Sequence, residues 1–482
     1  MDFQFFKSDF HGVPSFGYIH FDKRTSPGPG WMSINGDKPQ RINFLAQVPG
    51  GVVCWTNISQ NAFYHSSMAH DPRFRHDSFL VVNPLEAIEE WGLKASSLEP
   101  EVISQICSTL FARIMTIVMN IGDEYYSGKN SGKFSFTEDS LIFDVGKILP
   151  EYEQTTDLSP VNVSIGNGWN FTRTGFIPHD NKCKFISIRI PRFSFAKFLL
   201  KSNVPSGKNS VLRRQELDII GQPILKWVLE QDVPFFADAV AINVSSENSS
   251  LYGLGSVNIK SSRHRCGWIS QPELVAIQNL VPTDIKAIYL ADGEVEINKN
   301  FHPAIKGFLS SPHGYASWSA GIVAETIWQA IIMPPTPLSY PAISRRSPSK
   351  HTLAGLWLNG INKANGFSMA YNFSKLGYRV ISYSGSWWQI AVAPELIDPL
   401  IRHSFKFGLI PRLNDIPISM YEVKDDIAWG GSKMSHAFAQ MNASRQDNLL
   451  WNFDRILLYR GEKRDSLLRG LLNEHSRLIN SS

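Results

Sequence analysis

Ten bases crowd between positions 171 and 214: Arg173, Lys182, Lys184, Arg189, Arg192, Lys197, Lys201, Lys208, Arg213 and Arg214, against the single acid Asp180. Phe185, Phe193, Phe195 and Phe198 are interleaved with them. A contiguous patch of such bases neutralises phosphates and releases counterions, and exposed rings stack on nucleobases. The mixture therefore points to a nucleic-acid contact, with DNA and RNA equally compatible. Two further basic turns, Arg263 with Arg265 and Arg345 with Arg346, extend the candidate set. Two other readings compete. Long basic side chains commonly form a solvated face, with the Phe rings in the core. Alternatively, residues 1–170, at net −7, could dock on residues 171–214, at net +9, because complementary charge sets the register of an interface.

Other reactive residue types are sparser. His65, His70, Asp71, His76 and Asp77 have metal-ligand chemistry but match no zinc spacing, and the pairs His179 with Cys183 and His264 with Cys266 are unorthodox as a four-ligand site. Two-metal nuclease chemistry needs convergent carboxylates. The adjacent pairs Asp123-Glu124, Glu138-Asp139 and Asp425-Asp426 would alternate sides on a strand. Asp238, inside an apolar strand pattern, is more suggestive, because a buried acid costs free energy unless something uses it; the bland expectation is a solvated strand end. No GxxxxGK[ST] loop, no GxGxxG between strand and helix, no GxSxG elbow and no HExxH helix occurs. The sequence thus nominates no catalytic residue, no metal ligand and no cofactor.

The elements that must position the basic segment follow from periodicity. Lys182 to Ile190 reads as a strand, Phe195 to Leu199 as a short helix, and Asn203 to Ser210, with Pro205 and Gly207, as a loop. Residues 211–231 read as an amphipathic helix broken around Gly221 and Pro223. Before them come a turn-rich β opening over the first 60 residues, helices at Glu86–Leu93 and Pro100–Asn120, and a hairpin within Lys133–Ile148. After them come strands at Phe235–Val244, Tyr252–Ile259 and Ile285–Leu290, with helices at Gln271–Leu280 and Tyr315–Ile332. Met333 to Lys350 holds five prolines, three bases and no acid, the pattern of an extended linker. Beyond it, Ile361 to Gly408 reads as helix, strand, tight turn, strand and helix, and Asp454 to Leu478 as a basic helical tail.

These elements make an α+β, multi-domain chain of mixed β-sheets with packed helices and a smaller C-terminal α+β unit. The expected division is an acidic domain at 1–160, a basic-segment domain at 161–332, the linker at 333–350 and a C-terminal unit at 351–482. The 482 residues are 43% hydrophobic and 19% charged, a globular composition that excludes global disorder, and 12% are aromatic. The apolar run Ile103 to Met119 is broken by Ser104, Gln105, Ser108, Thr109 and Arg113, so no membrane span is expected. Four scattered cysteines suit a reducing, cytoplasmic setting. The composition fits best a non-catalytic nucleic-acid-binding protein, a subunit of a larger complex. A capsid-like assembly protein with aromatic interfaces is the alternative, and a metal-dependent nuclease the third.

Overall fold

Residues 15–71, 73–75, 85, 98–127, 135–137, 140–142, 149, 173–174, 183–190, 192, 194–231, 233–241, 266–278, 281–310, 318–332 and 352–412 are described by a computed structural model. The β-rich opening forms a mixed sheet of β1 (Ser15–Phe21), β2 (Gly30–Ile34), β3 (Gln40–Ile42), β4 (Val52–Thr56) and β5 (Phe74–Arg75), in the order β3-β2-β1-β4-β5. A short helix α1 (Gln60–Tyr64) lies between β4 and β5. The turn signal Asn35-Gly36 takes positive φ at both residues, which short polar side chains and glycine tolerate. Alternation divides β1 between two cores. Phe16 and Tyr18 face the long helix α2 (Pro100–Ser127) with Val53 and Trp55, whereas Ile19 and Phe21 face a smaller cluster with Met32, Cys54 and Phe74. Ser108 anchors α2 to the sheet, its hydroxyl 2.8 Å from that of Ser33 and accepting from Gly36 N–H at 3.0 Å.

An antiparallel pair of β6 (Ser135–Thr137) and β7 (Ser140–Ile142) follows, with Thr137 opposite Ser140, within the segment its sequence predicts as a hairpin. Next come β8 (Arg173–Thr174), β9 (Lys184–Arg189), α3 (Ser194–Lys201) and β10 (Asn203–Arg213). Here the sequence reading needs correction. Residues 203–210 form a strand, and so do 211–213, which the helical pattern had claimed. Nine register pairs join β10 to β13 (Thr283–Glu296), with an irregularity between Ser206 and Asn209 beside Gly207, whose φ is +83°. Turn-forming residues are tolerated there because a bulge absorbs them. The break at Gly221 and Pro223 holds, separating α4 (Arg214–Leu217) from α5 (Ile224–Glu230).

The second sheet is antiparallel in the order β10-β13-β11-β12, with β11 at Phe235–Ala241 and β12 at Cys266–Ser270. Its faces serve different cores, Phe236 and Tyr289 on one side and Phe235, Ala237 and Ile288 on the other. Helices α6 (Gln271–Ile277) and α9 (Leu353–Lys375) pack on it, whereas α7 (Pro303–Ser310) and α8 (Trp318–Ile332) pack with α2 and α3. The chain then makes β14 (Arg379–Tyr383), β15 (Trp387–Val392), α10 (Ile397–Lys406) and β16 (Ile410–Pro411), the helix–strand–turn–strand–helix series read from sequence. β14, β15 and β16 join β8 and β9 in a third sheet, ordered β16-β9-β15-β14-β8 and antiparallel throughout. One sheet therefore draws strands from both sides of the proline-rich segment, so a cut at 333–350 divides the sequence but not this sheet. The fold class is α+β with several sheets, as expected. No helix among the described residues is long and apolar enough to cross a membrane.

Candidate functional site

The third sheet has two unlike faces. Ile186 and Ile188 of β9, Trp388, Ile390 and Val392 of β15, and Val380 and Tyr383 of β14 are buried with Phe367 and Phe373 of α9 and Leu400 and Ile401 of α10. The alternate residues form three cross-strand rows on the other face. Phe185, Ala391 and Arg379 make the first, Ser187, Gln389 and Ser382 the second, and Arg189 and Trp387 the third. Rows lie about 7 Å apart at ~3.3 Å rise per residue. Phe185, Ser187, Arg189 and Gln389 are half-buried and Arg379 is exposed. Trp387 is 42% exposed, unusual for the largest side chain.

Charge singles this sheet out. Its five strands read RT, KFISIR, RVISY, WWQIAV and IP, with four Lys or Arg and no acid. The strands of the second sheet carry five acids against three bases. A phosphate approaching the third sheet meets no strand carboxylate, whereas one approaching the second is repelled.

The β14–β15 turn is set by its seat on α9. Ser384 N–H donates to Trp387 O at 2.8 Å, Ile190 N–H donates to Ser386 O at 2.9 Å, and the buried Trp388 Nε1–H donates to Gly366 O at 2.8 Å. Glycine is required at 366, since a Cβ there would stand 2.4 Å from Ser384 O and 2.9 Å from Gly385 Cα. This close approach fixes where Trp387 leaves the turn.

The predicted bases separate into groups. Lys184 opens β9, exposed, and Arg189 closes it opposite Trp387. Arg173 pairs with Tyr383 on β14, which places its backbone in the same sheet. Lys201 is exposed at the end of α3, Lys197 lies on that helix, and Lys208 lies in β10. Arg213 is exposed, and Arg214 is committed to Asp218 at 2.8 Å and Asp284 at 2.7 Å. Arg192 is a correction: at 4% exposure it is ion-paired with Glu325 of α8 and joins helices instead of offering charge to a ligand. The acids meeting Arg192 and Arg214 lie C-terminal to the basic segment, not in the acidic first third. Phe195 and Phe198 belong to the core around Trp328, at 6.0 and 5.9 Å between ring centroids, so among the described interleaved rings Phe185 alone is placed on the sheet face. Lys182, Phe193, Arg263, Arg265, Arg345 and Arg346 lie outside the described residues.

Sequence reasoning missed Arg379 and Trp387. Both sit in the hairpin it recognised, but Trp387 pairs with Arg189 across almost 200 residues of chain and Arg379 joins that face only through β15, which leaves no local signal.

Among the described residues the candidate metal ligands do not converge. Asp71 is held by Arg73, accepting its backbone N–H at 3.0 Å and its Nη2–H at 2.7 Å, and the His65 ring lies 2.8 Å from Asn61 O. His76, Asp77, His179 and His264 lie outside the described residues. Asp238 is mid-strand and half-buried, not at a strand end, opposite Trp268 and beside a bulge in the β13 pairing. Burial raises its carboxyl above the usual range, while the Lys286 ammonium acts in the opposite direction. Among the described residues no three His, Cys, Asp or Glu gather as a metal would require.

No family model matches the chain, and no curated protein matches it. Among solved structures it is similar to Phi29 DNA polymerase complexed with primer-template DNA in a post-translocation binary complex, at 9% identity and a TM-score of 0.39, over 78% of this chain and 80% of that one. The same polymerase complexed with single-stranded DNA gives 8% identity and a TM-score of 0.38, over 78% and 80%. At these scores the likeness transfers neither fold nor activity to this chain.

Proposed function

We propose that this chain binds nucleic acid through the outer face of its third sheet, holding the strand without altering it chemically. The observation that carries the reading is a sheet whose five strands contain four bases and no acid, with Trp387 exposed and directly opposite Arg189. Arg189 and Arg379 would contact phosphates, which supply affinity without sequence information. Ser187 and Gln389 supply a hydroxyl and an amide between them, with the buried Ser382 bonded to Gln389. The same strands contain no Asp, Glu, His or Cys, so the face has no group suited to moving a proton near neutral pH, which supports holding over cleaving. Phosphate contacts alone do not separate DNA from RNA, and both belong to the proposal.

Fluorescence anisotropy of a labelled generic oligonucleotide tests it. Wild type should bind at low salt, and the double variant R189A/R379A should lose most of that affinity while its circular dichroism spectrum stays that of wild type. Equal affinity in both proteins would overturn the assignment of this face.

A further inference from the structure

We infer that this face takes an unpaired strand, with the Trp387 ring as the platform for one splayed base; the inference rests on the nucleic-acid reading above. Every nucleobase has a π face, but in a duplex both faces are covered by neighbours except at the ends. An exposed ring can therefore take a base only from a strand that is locally unstacked. Trp387 stands at the exit of a turn clamped on α9, so its backbone is fixed while 42% of the residue remains exposed. The charge of Arg189 lies across from it on β9.

The spacing of the face favours the same ligand. Phe185 lies four residues from Arg189 along β9, so the Phe185 and Trp387 rows are about 13 Å apart at ~3.3 Å per residue. That is roughly four times the ~3.4 Å between successive phosphates of a stacked strand along the duplex axis. The two rings are far enough apart to take one base each from the same strand. In the gap, Ser382 Oγ–H donates to Gln389 Oε1 at 3.3 Å, which leaves the Gln389 amide hydrogens as donors for a base edge or phosphate oxygen. The charge is also scaled to one strand. Proteins that hold duplex DNA through its backbone make roughly 6–10 phosphate contacts, whereas the face presents Arg189 and Arg379. A partner protein is the less favoured occupant, because a lone exposed Trp ringed by polar and basic side chains is not an apolar patch.

The test measures the full chain, wild type, W387A and W387F, against a short oligo(dT) and a blunt duplex of equal length. Wild type should prefer oligo(dT). W387A should weaken oligo(dT) binding by about 5- to 150-fold, the loss expected for one stacked base, and leave duplex binding nearly unchanged. W387F keeps a ring and should retain most of the affinity, which also separates stacking from misfolding. Equal loss on both ligands, or no loss on either, would overturn the unpaired-strand inference while leaving the nucleic-acid reading standing. Failure of wild type to bind either ligand would overturn both.

Discussion

Arg192 shows how far a residue type can mislead without its neighbours. As one of ten bases in 44 residues it belongs to the patch, yet the fold buries it against Glu325. Glu325→Ala should cost about 3–5 kcal/mol by leaving a buried guanidinium without its carboxylate, and the double change Arg192→Met with Glu325→Leu should cost far less. Urea midpoints read both, and the double variant should bind oligonucleotide like wild type. His20 gives a second residue-scale prediction. Burial lowers its pKa from 6.5 to about 4, against the opposing pull of Asp22, and its Nδ1 has no hydrogen-bond partner. Between those pH values the unfolded chain binds a proton that the fold excludes, so this contribution to stability falls as pH drops from 6.5 toward 4 and levels off below. The full window amounts to on the order of 3 kcal/mol. His20→Gln should flatten that part of the urea-midpoint profile; an unchanged profile would assign the slope elsewhere.

Local pattern was legible wherever an element makes its own case. The β14–β15 hairpin, the breaks at Gly221 and Pro223 and the helix over Trp318–Ile332 all follow from periodicity and punctuation. The edge strand β10 did not, because Pro205, Gly207 and Asn209 read as a loop until the long β13 partner is present to pair with them. The outer face of the third sheet was half legible for the same reason. β9 announced its bases, but that Trp387 and Arg379 share its face is a matter of register between distant segments. Gly366 is the element-scale hinge of the site. Gly366→Ala should destabilise by roughly 1–3 kcal/mol, since backbone atoms must move to admit the methyl group. Oligonucleotide affinity should fall with it, through displacement of the turn that presents Trp387, and parallel melting and anisotropy measurements check the pair of effects. A methyl group accommodated with no change in either would show that the seat on α9 does not fix the turn.

At the scale of the molecule, the net charge of +4 conceals the arrangement that matters, a sheet free of acids beside a sheet rich in them. Exposed large apolar residues such as Phe44, Ile219 and Leu376 come from separate elements, so the described residues favour a polar ligand over the capsid-like alternative. The central claim is that phosphates meet the basic outer face of the third sheet, and the salt dependence of oligonucleotide binding tests it most directly. If Arg189 and Arg379 each neutralise one phosphate of a single strand, log K should fall against log salt with a slope of about −1.4, and R189A/R379A should bring that slope close to zero. A steep slope that survives the double variant would place the phosphates elsewhere on the molecule, and a flat slope in wild type would contradict the electrostatic account altogether.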